Sequence, residues 1–174
     1  MTQVIECDIP AASRIDPALV SAAFFRHACL APLQRETISS TECFNAIFGH
    51  RPTWMKLVLT GRNALASLAG LDAPAAGDLF KADVGTEYRV GDRIGVWPIY
   101  AINEDELVAG RDNSHLDFRV SVMRTTVAGM RSVVVSTVCV THNAFGRAYL
   151  RGVIPFHRWG LRRLVASAVD AGRL

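Results

Sequence analysis

Three residues have the type and setting for proton transfer. His157 falls near the middle of an apolar helical stripe, flanked by Val153, Leu161 and Leu164. It lies just past Pro155. A helix restarting at that proline would present free N–H groups and a dipole that disfavour the imidazolium. A neutral imidazole facing a cavity can donate a hydrogen bond or act as a general acid or base. The plain alternative is a core histidine bonded to a strand carbonyl.

Asp117 shares a strand face with His115 and Arg119. It can orient an imidazole, join an ion pair, or meet Arg147 if that face turns toward the C-terminal helix. The opposite face, with Leu116, Phe118, Val120 and Val122, is the more apolar one. If it lines the core, Asp117 is solvated or salt-bridged. His142, in Thr141-His142-Asn143, stands near a sheet edge where a strand gives way to a helix, and Asn143 reads as the helix N-cap.

Other chemistries find little support. No Gly-x-Ser-x-Gly elbow and no Cys/His nucleophile pair is present. A turn-to-strand pattern scatters Asp112, Asn113, His115 and Asp117, so no metal is expected, and no cofactor motif is present. Arg147, Arg151, Arg158 and Arg162 project within about 60° of each other on an ideal helix. Such a row is either a solvated face or a contact for an anionic ligand, membrane surface or acidic protein. No aromatic residues interleave with it, which argues against nucleic acid.

The elements that position these residues follow from periodicity. Val4 to Ile9 reads as a first strand. Asp16-Pro17 starts a helix expected to reach about Leu30. Ser39 and Glu42 have capping-box spacing before a short helix ending near Gly49. Pro52 opens a third helix with Trp54, Leu57, Val58, Gly61, Leu65 and Leu68 at helical spacing, Arg62-Asn63 on its exposed face and Gly70 at its end. Strands are expected over Ile94–Ile102, Leu107–Arg111, His115–Thr125 and Ser132–His142, joined by short turns and therefore antiparallel. The last helix starts at Asn143 and carries Phe145, Tyr149, Val153, Phe156, Leu161, Leu164 and Ala168 in one broad stripe, with a kink or restart at Pro155.

The 174 residues are about half apolar and a fifth charged, which suits one domain over residues 1–174 with a sizeable core. That balance excludes a disordered chain and a disulfide scaffold. The net charge of +3 conceals an asymmetry. Residues 1–112 carry ten Lys/Arg against fourteen acids, and residues 113–174 carry nine Arg against two. Cys7, Cys29, Cys43 and Cys139 lack paired spacing and read as free thiols. With no signal peptide and no membrane span visible, the expected location is the cytoplasm.

Four motifs carry a resemblance: His115-Leu116-Asp117-Phe118-Arg119, Thr141-His142-Asn143, Gly146-Arg147-Ala148-Tyr149-Leu150 and Pro155-Phe156-His157-Arg158. Together they resemble the uncharacterised bacterial family called domain of unknown function 2867, most sharply from Leu107 to Arg158. The resemblance implies a reductase partner in some settings. The element order is also similar to START-type and polyketide-cyclase-like (SRPBCC) helix-grip domains. That similarity implies an α+β fold in which a curved antiparallel sheet wraps a long C-terminal helix around a ligand cavity.

The leading expectation is a small hydrophobic molecule bound among Phe118, Val120, Val135, Tyr149, Val153, His157 and Leu161. A second is a cofactor-independent cyclase, isomerase or hydrolase using His157, with Asp117 or His142 in support. A third is an interaction module, a homodimer or a reductase contact, acting through the arginine row.

Overall fold

The computed structural model describes residues 4–50 and 87–174. Its elements run β1 (Ile5–Cys7), α1 (Pro17–Ala22), β2 (Phe25–Pro32), α2 (Ser40–Phe48), β3 (Arg93–Ile94), β4 (Trp97–Ile102), β5 (Glu106–Asp112), β6 (Leu116–Val127), β7 (Met130–Thr141) and α3 (Ala144–Asp170). The third helix expected from Pro52, with Arg62 and Asn63, lies outside the described residues.

The local signals act as their chemistry requires. Asp16 caps α1 by accepting the Ala18 amide, with Pro17 at the first helical position. Ser39 and Glu42 form the reciprocal capping box of α2. Asn143 accepts the Gly146 amide to start α3. Ala128 and Gly129 join β6 to β7 with both φ angles positive, 50° and 78°, the conformation that a two-residue hairpin turn demands.

One expectation is corrected. The helix from Pro17 stops at Ala22 rather than Leu30, and the chain re-enters as strand β2. Phe25, His27, Cys29 and Ala31 alternate with Arg26, Ala28 and Leu30, a pattern that suits a strand with one apolar face. Hydrogen bonding on both edges then decides the outcome. β2 pairs with β1 from Ile5↔Leu30 and with β7 from Phe25↔Cys139 to Pro32↔Ser132. Helix propensities differ by less than about 1 kcal/mol per residue and yield to such pairing.

The seven strands of the described residues are all antiparallel, in the order β1-β2-β7-β6-β5-β4-β3. The single strand expected over Ile94–Ile102 is split by a turn at Gly95-Val96 into β3 and β4. The fold is therefore α+β, a meander sheet with a long C-terminal helix.

Paired residues share a face, so the register sorts the sheet into two surfaces. Cys29, Val135, Val122 and Leu107 point to the face covered by α2 and α3. There they pack with Phe44, Ile47, Leu161, Leu164 and Val165. On the far face, Val108 and Val138 pack against Ile15, with Leu19 and Val20 of α1 alongside. Glu106 is buried on that side. It accepts hydrogen bonds from Ser13 Oγ (2.6 Å), the Arg14 amide (2.7 Å) and Ser121 Oγ (2.5 Å). A buried carboxyl group thus fastens the segment before α1 to the sheet.

Helix α3 runs without interruption from Ala144 to Asp170, so the restart expected at Pro155 does not occur. Pro155 is exposed, where water can solvate the carbonyl that its missing N–H leaves unbonded. At the helix start, a Cβ on Gly146 would sit 2.1 Å from the His115 carbonyl oxygen. Glycine is what lets α3 begin so close to β6.

Candidate functional site

The helix-facing surface of the sheet contains a polar layer. Along β2, Phe25 and Cys29 flank His27; along β7, Cys139 and Val135 flank Thr137. The register sets His27 directly beside Thr137. Phe25 and Cys139 belong to one apolar cluster with Leu116 and Leu150, while Cys29 and Val135 belong to the main core. On α3, Leu150 lies in the first cluster and Leu161 in the second, with His157 between them. His27, Thr137 and His157 therefore form one polar stratum between two apolar ones.

The rings define the arrangement. His157 meets His27 edge to face at 5.8 Å and Phe25 at 5.4 Å between centroids. His27 and Thr137 are 3% and 4% exposed. Among the described residues, both ring nitrogens of His27, the Thr137 hydroxyl and His157 Nε2 are shut off from solvent and lack a hydrogen-bond partner. Glu6 Oε1 lies 3.9 Å from His27 Nε2, too far for a hydrogen bond. Buried polar groups are normally paired, and each orphan costs about 1–3 kcal/mol. Three such side chains on facing elements gather unused hydrogen-bonding capacity in one layer.

Electrostatics keep both rings neutral. Burial, the neighbouring His27 and the Arg158 guanidinium push the His157 pKa down to about 4 from 6.5. Burial lowers His27 as well, helped by Arg158 and Arg162 and opposed by Glu6. The cause for His157 is thus burial and neighbouring charge, not a new helix N-terminus. The sign of the pH dependence follows. The unfolded chain takes up protons below pH 6.5 and the folded chain only near 4. The stability that rests on a neutral His157 is complete above pH 6.5 and is lost as pH falls through about 4. We expect His157→Phe to flatten the decline in unfolding free energy between those limits, on the order of 3 kcal/mol in denaturant titrations. A decline as steep in the variant would remove His157 as its source.

The expected lining residues divide between these environments. Val120, Val135 and Leu161 are tightly packed members of the main core. Phe118 is half-buried, touches both clusters and meets Trp97 edge to face at 5.5 Å. Tyr149 packs on the smaller cluster and lies 6.1 Å from the His115 ring. Val153 is half-buried on α3. His27, Phe25 and Thr137 were not legible as site residues while the chain after Ala23 read as helix. The alternation Phe25-x-His27-x-Cys29-x-Ala31 was the available signal.

Asp117 and His142 do form a pair, but not where His157 is. The apolar face of β6 lines the core, so Asp117 is on the far side. His142 Nε2 lies 3.0 Å from Asp117 Oδ1, which also accepts the Asn113 amide. The expected partners His115 and Arg147 are not the ones it uses. Arg119 instead bonds Asp112 at 2.6 Å, its guanidinium stacked 3.5 Å over the Tyr100 ring. The two candidate sites occupy opposite faces of the sheet.

The arginine row lies along one uninterrupted helix, all four side chains exposed. Part of it is engaged within the chain. Arg158 approaches Glu6 at 3.7 Å, Arg162 donates to the Val4 carbonyl at 3.3 Å, and Arg151 lies over the Phe24 ring. All four cysteines are free. Burial raises the thiols of Cys29, Cys43 and Cys139 to about 12, so they stay protonated and unreactive. Among the described residues no helix is long and apolar enough to cross a membrane.

A family model described as protein of unknown function (DUF2867) matches residues 20–164. No curated protein matches the chain.

Proposed function

The chain belongs to the DUF2867 family of unknown function, and from that starting point we propose that it binds a small, largely apolar molecule between the sheet and α3. The polar end of that molecule would meet His27, Thr137 and His157. One observation carries this reading: four buried polar atoms of His27, Thr137 and His157, on β2, β7 and α3, that have no hydrogen-bond partner among the described residues. Neutral imidazoles and a hydroxyl each donate and accept, so they favour an uncharged group that does both, such as an alcohol or phenol. The apolar clusters on either side suit the remainder of the molecule.

Catalysis by His157 is less well supported. General bases work best with a pKa near the operating pH, and a value of about 4 makes this ring a weak base and a poor proton donor at neutrality. The arginine row as a partner surface is weakened by the contacts of Arg158 and Arg162 with β1.

Thermal unfolding in the presence of medium-chain alcohols, phenols and the matching carboxylic acids tests the proposal. A bound alcohol or phenol is expected to stabilise by about 2.7 kcal/mol at a hundredfold excess over its Kd. Absence of any shift across the whole panel overturns the reading. A response confined to the acids overturns the assignment of an uncharged polar end.

A further inference from the structure

At the β3–β4–β5 edge lies a surface pocket of about 420 Å³ lined by Arg93, Val96, Pro98, Tyr100, Arg111 and Asp112. It shares no residue with the polar layer under α3. Its one lining carboxylate is already occupied. Asp112 Oδ1 accepts Arg119 at 2.6 Å and Asp112 Oδ2 accepts the Tyr100 hydroxyl at 3.0 Å. Asp112 is accordingly held below the usual carboxylate range, chiefly by the Arg119 hydrogen bond. Asp117, opposite Asp112 on β6, is taken up by His142 and the Asn113 amide.

The nearby acids are therefore paired with other groups, while the Arg93 and Arg111 side chains make no ion pair or hydrogen bond within the described residues. Both residues line the same pocket. Arg111 is next to Asp112 in sequence but does not pair with it, because successive strand residues point to opposite faces of the sheet. The remaining wall is Val96, Pro98 and the Tyr100 ring, an apolar and partly aromatic surface. Two arginines lining one pocket with an apolar, partly aromatic wall match a doubly charged tetrahedral anion carrying a planar group.

We propose that this pocket is a second binding site, taking a phosphate monoester through Arg93 and Arg111 with its organic part against Pro98 and Tyr100. The proposal is independent of the reading of the polar layer.

Calorimetric titration of the whole chain with phenyl phosphate, inorganic phosphate and benzoate tests it. Phenyl phosphate is expected to bind most tightly, inorganic phosphate more weakly for want of the ring contact, and benzoate at least about tenfold more weakly for want of the second charge. The double substitution Arg93→Ala and Arg111→Ala, at two exposed positions, is expected to weaken phenyl phosphate at least about tenfold. It should also reduce the salt dependence of what binding remains. Tyr100→Leu should reduce phenyl phosphate more than inorganic phosphate. No binding of phenyl phosphate at millimolar concentration, or equal binding in the double variant, overturns the site. Benzoate binding as tightly as phenyl phosphate overturns the ligand class.

Discussion

Replacing Glu106 by alanine is expected to lower the unfolding free energy by about 3–4 kcal/mol. The carboxyl group accepts three hydrogen bonds from a buried position. Two donors, Ser13 Oγ and the Arg14 amide, come from the segment before α1, and the third, Ser121 Oγ, comes from β6. Removing the acceptor strands all three and leaves a void in the sheet's far face. A stability of about 5–15 kcal/mol is usual for a domain, so the loss is a large fraction of the whole. The damage should be local first. Ile15 packs on Val108 and Val138 next to this anchor. Amide exchange should therefore quicken through 13–22 and at Val108 and Val138 before the α2–α3 side is affected. Glu106→Gln keeps the shape and one acceptor oxygen, and should lose about half as much. An unchanged unfolding midpoint in the alanine variant would refute the anchoring role.

The second large effect has the opposite sign. Substituting His27→Leu and Thr137→Val together is expected to raise stability by about 2–4 kcal/mol and to abolish binding of the apolar ligand. Most buried substitutions destabilise, because they leave a cavity or strand a partner. Among the described residues there is no hydrogen-bond partner to strand, since neither imidazole nitrogen of His27 nor the Thr137 hydroxyl is hydrogen-bonded. An apolar side chain of similar size removes an unpaired polar group from the interior. The two positions face each other across β2 and β7, so the single effects need not add, and a double-mutant cycle measures their coupling. Wild-type protein stabilised by ligand, against a more stable variant indifferent to it, is the pattern of a binding site maintained at the expense of stability. A variant less stable than the wild type would mean that these groups are satisfied in the free protein, and the binding proposal would lose its principal support.

Much of the framework was legible because it rests on short-range interactions. The caps at Asp16, Ser39 and Asn143 each join residues at most three apart. The Ala128-Gly129 turn needs only its own backbone angles. The alternation of Leu116, Phe118, Val120 and Val122 already implied which face of β6 is buried, because apolar area left in water costs free energy wherever the rest of the chain lies. Those features are written locally and survive any tertiary arrangement.

The failures share a different cause. Whether Phe25–Pro32 is helix or strand is settled by hydrogen bonds from Ile5–Cys7 on one edge and Ser132–Cys139 on the other. Local propensity cannot weigh partners that distant in the chain. Asp117 carries the potential for an Asp–His pair in its type alone. That the imidazole belongs to His142 follows from the β6–β7 register and from where β7 ends.

His157 was marked by its place in an apolar stripe. Its neutrality comes from burial against His27 and from Arg158, not from the proline beside it. By itself the amino-acid sequence determined an α+β chain, its helix N-caps, the antiparallel meander and the buried stripe of the last helix. Only the tertiary structure brought His27, Thr137 and His157 into one layer and Arg93 and Arg111 to one pocket. Both arrangements depend on strand register and helix docking, which long-range burial and hydrogen bonding decide together once the whole chain has folded.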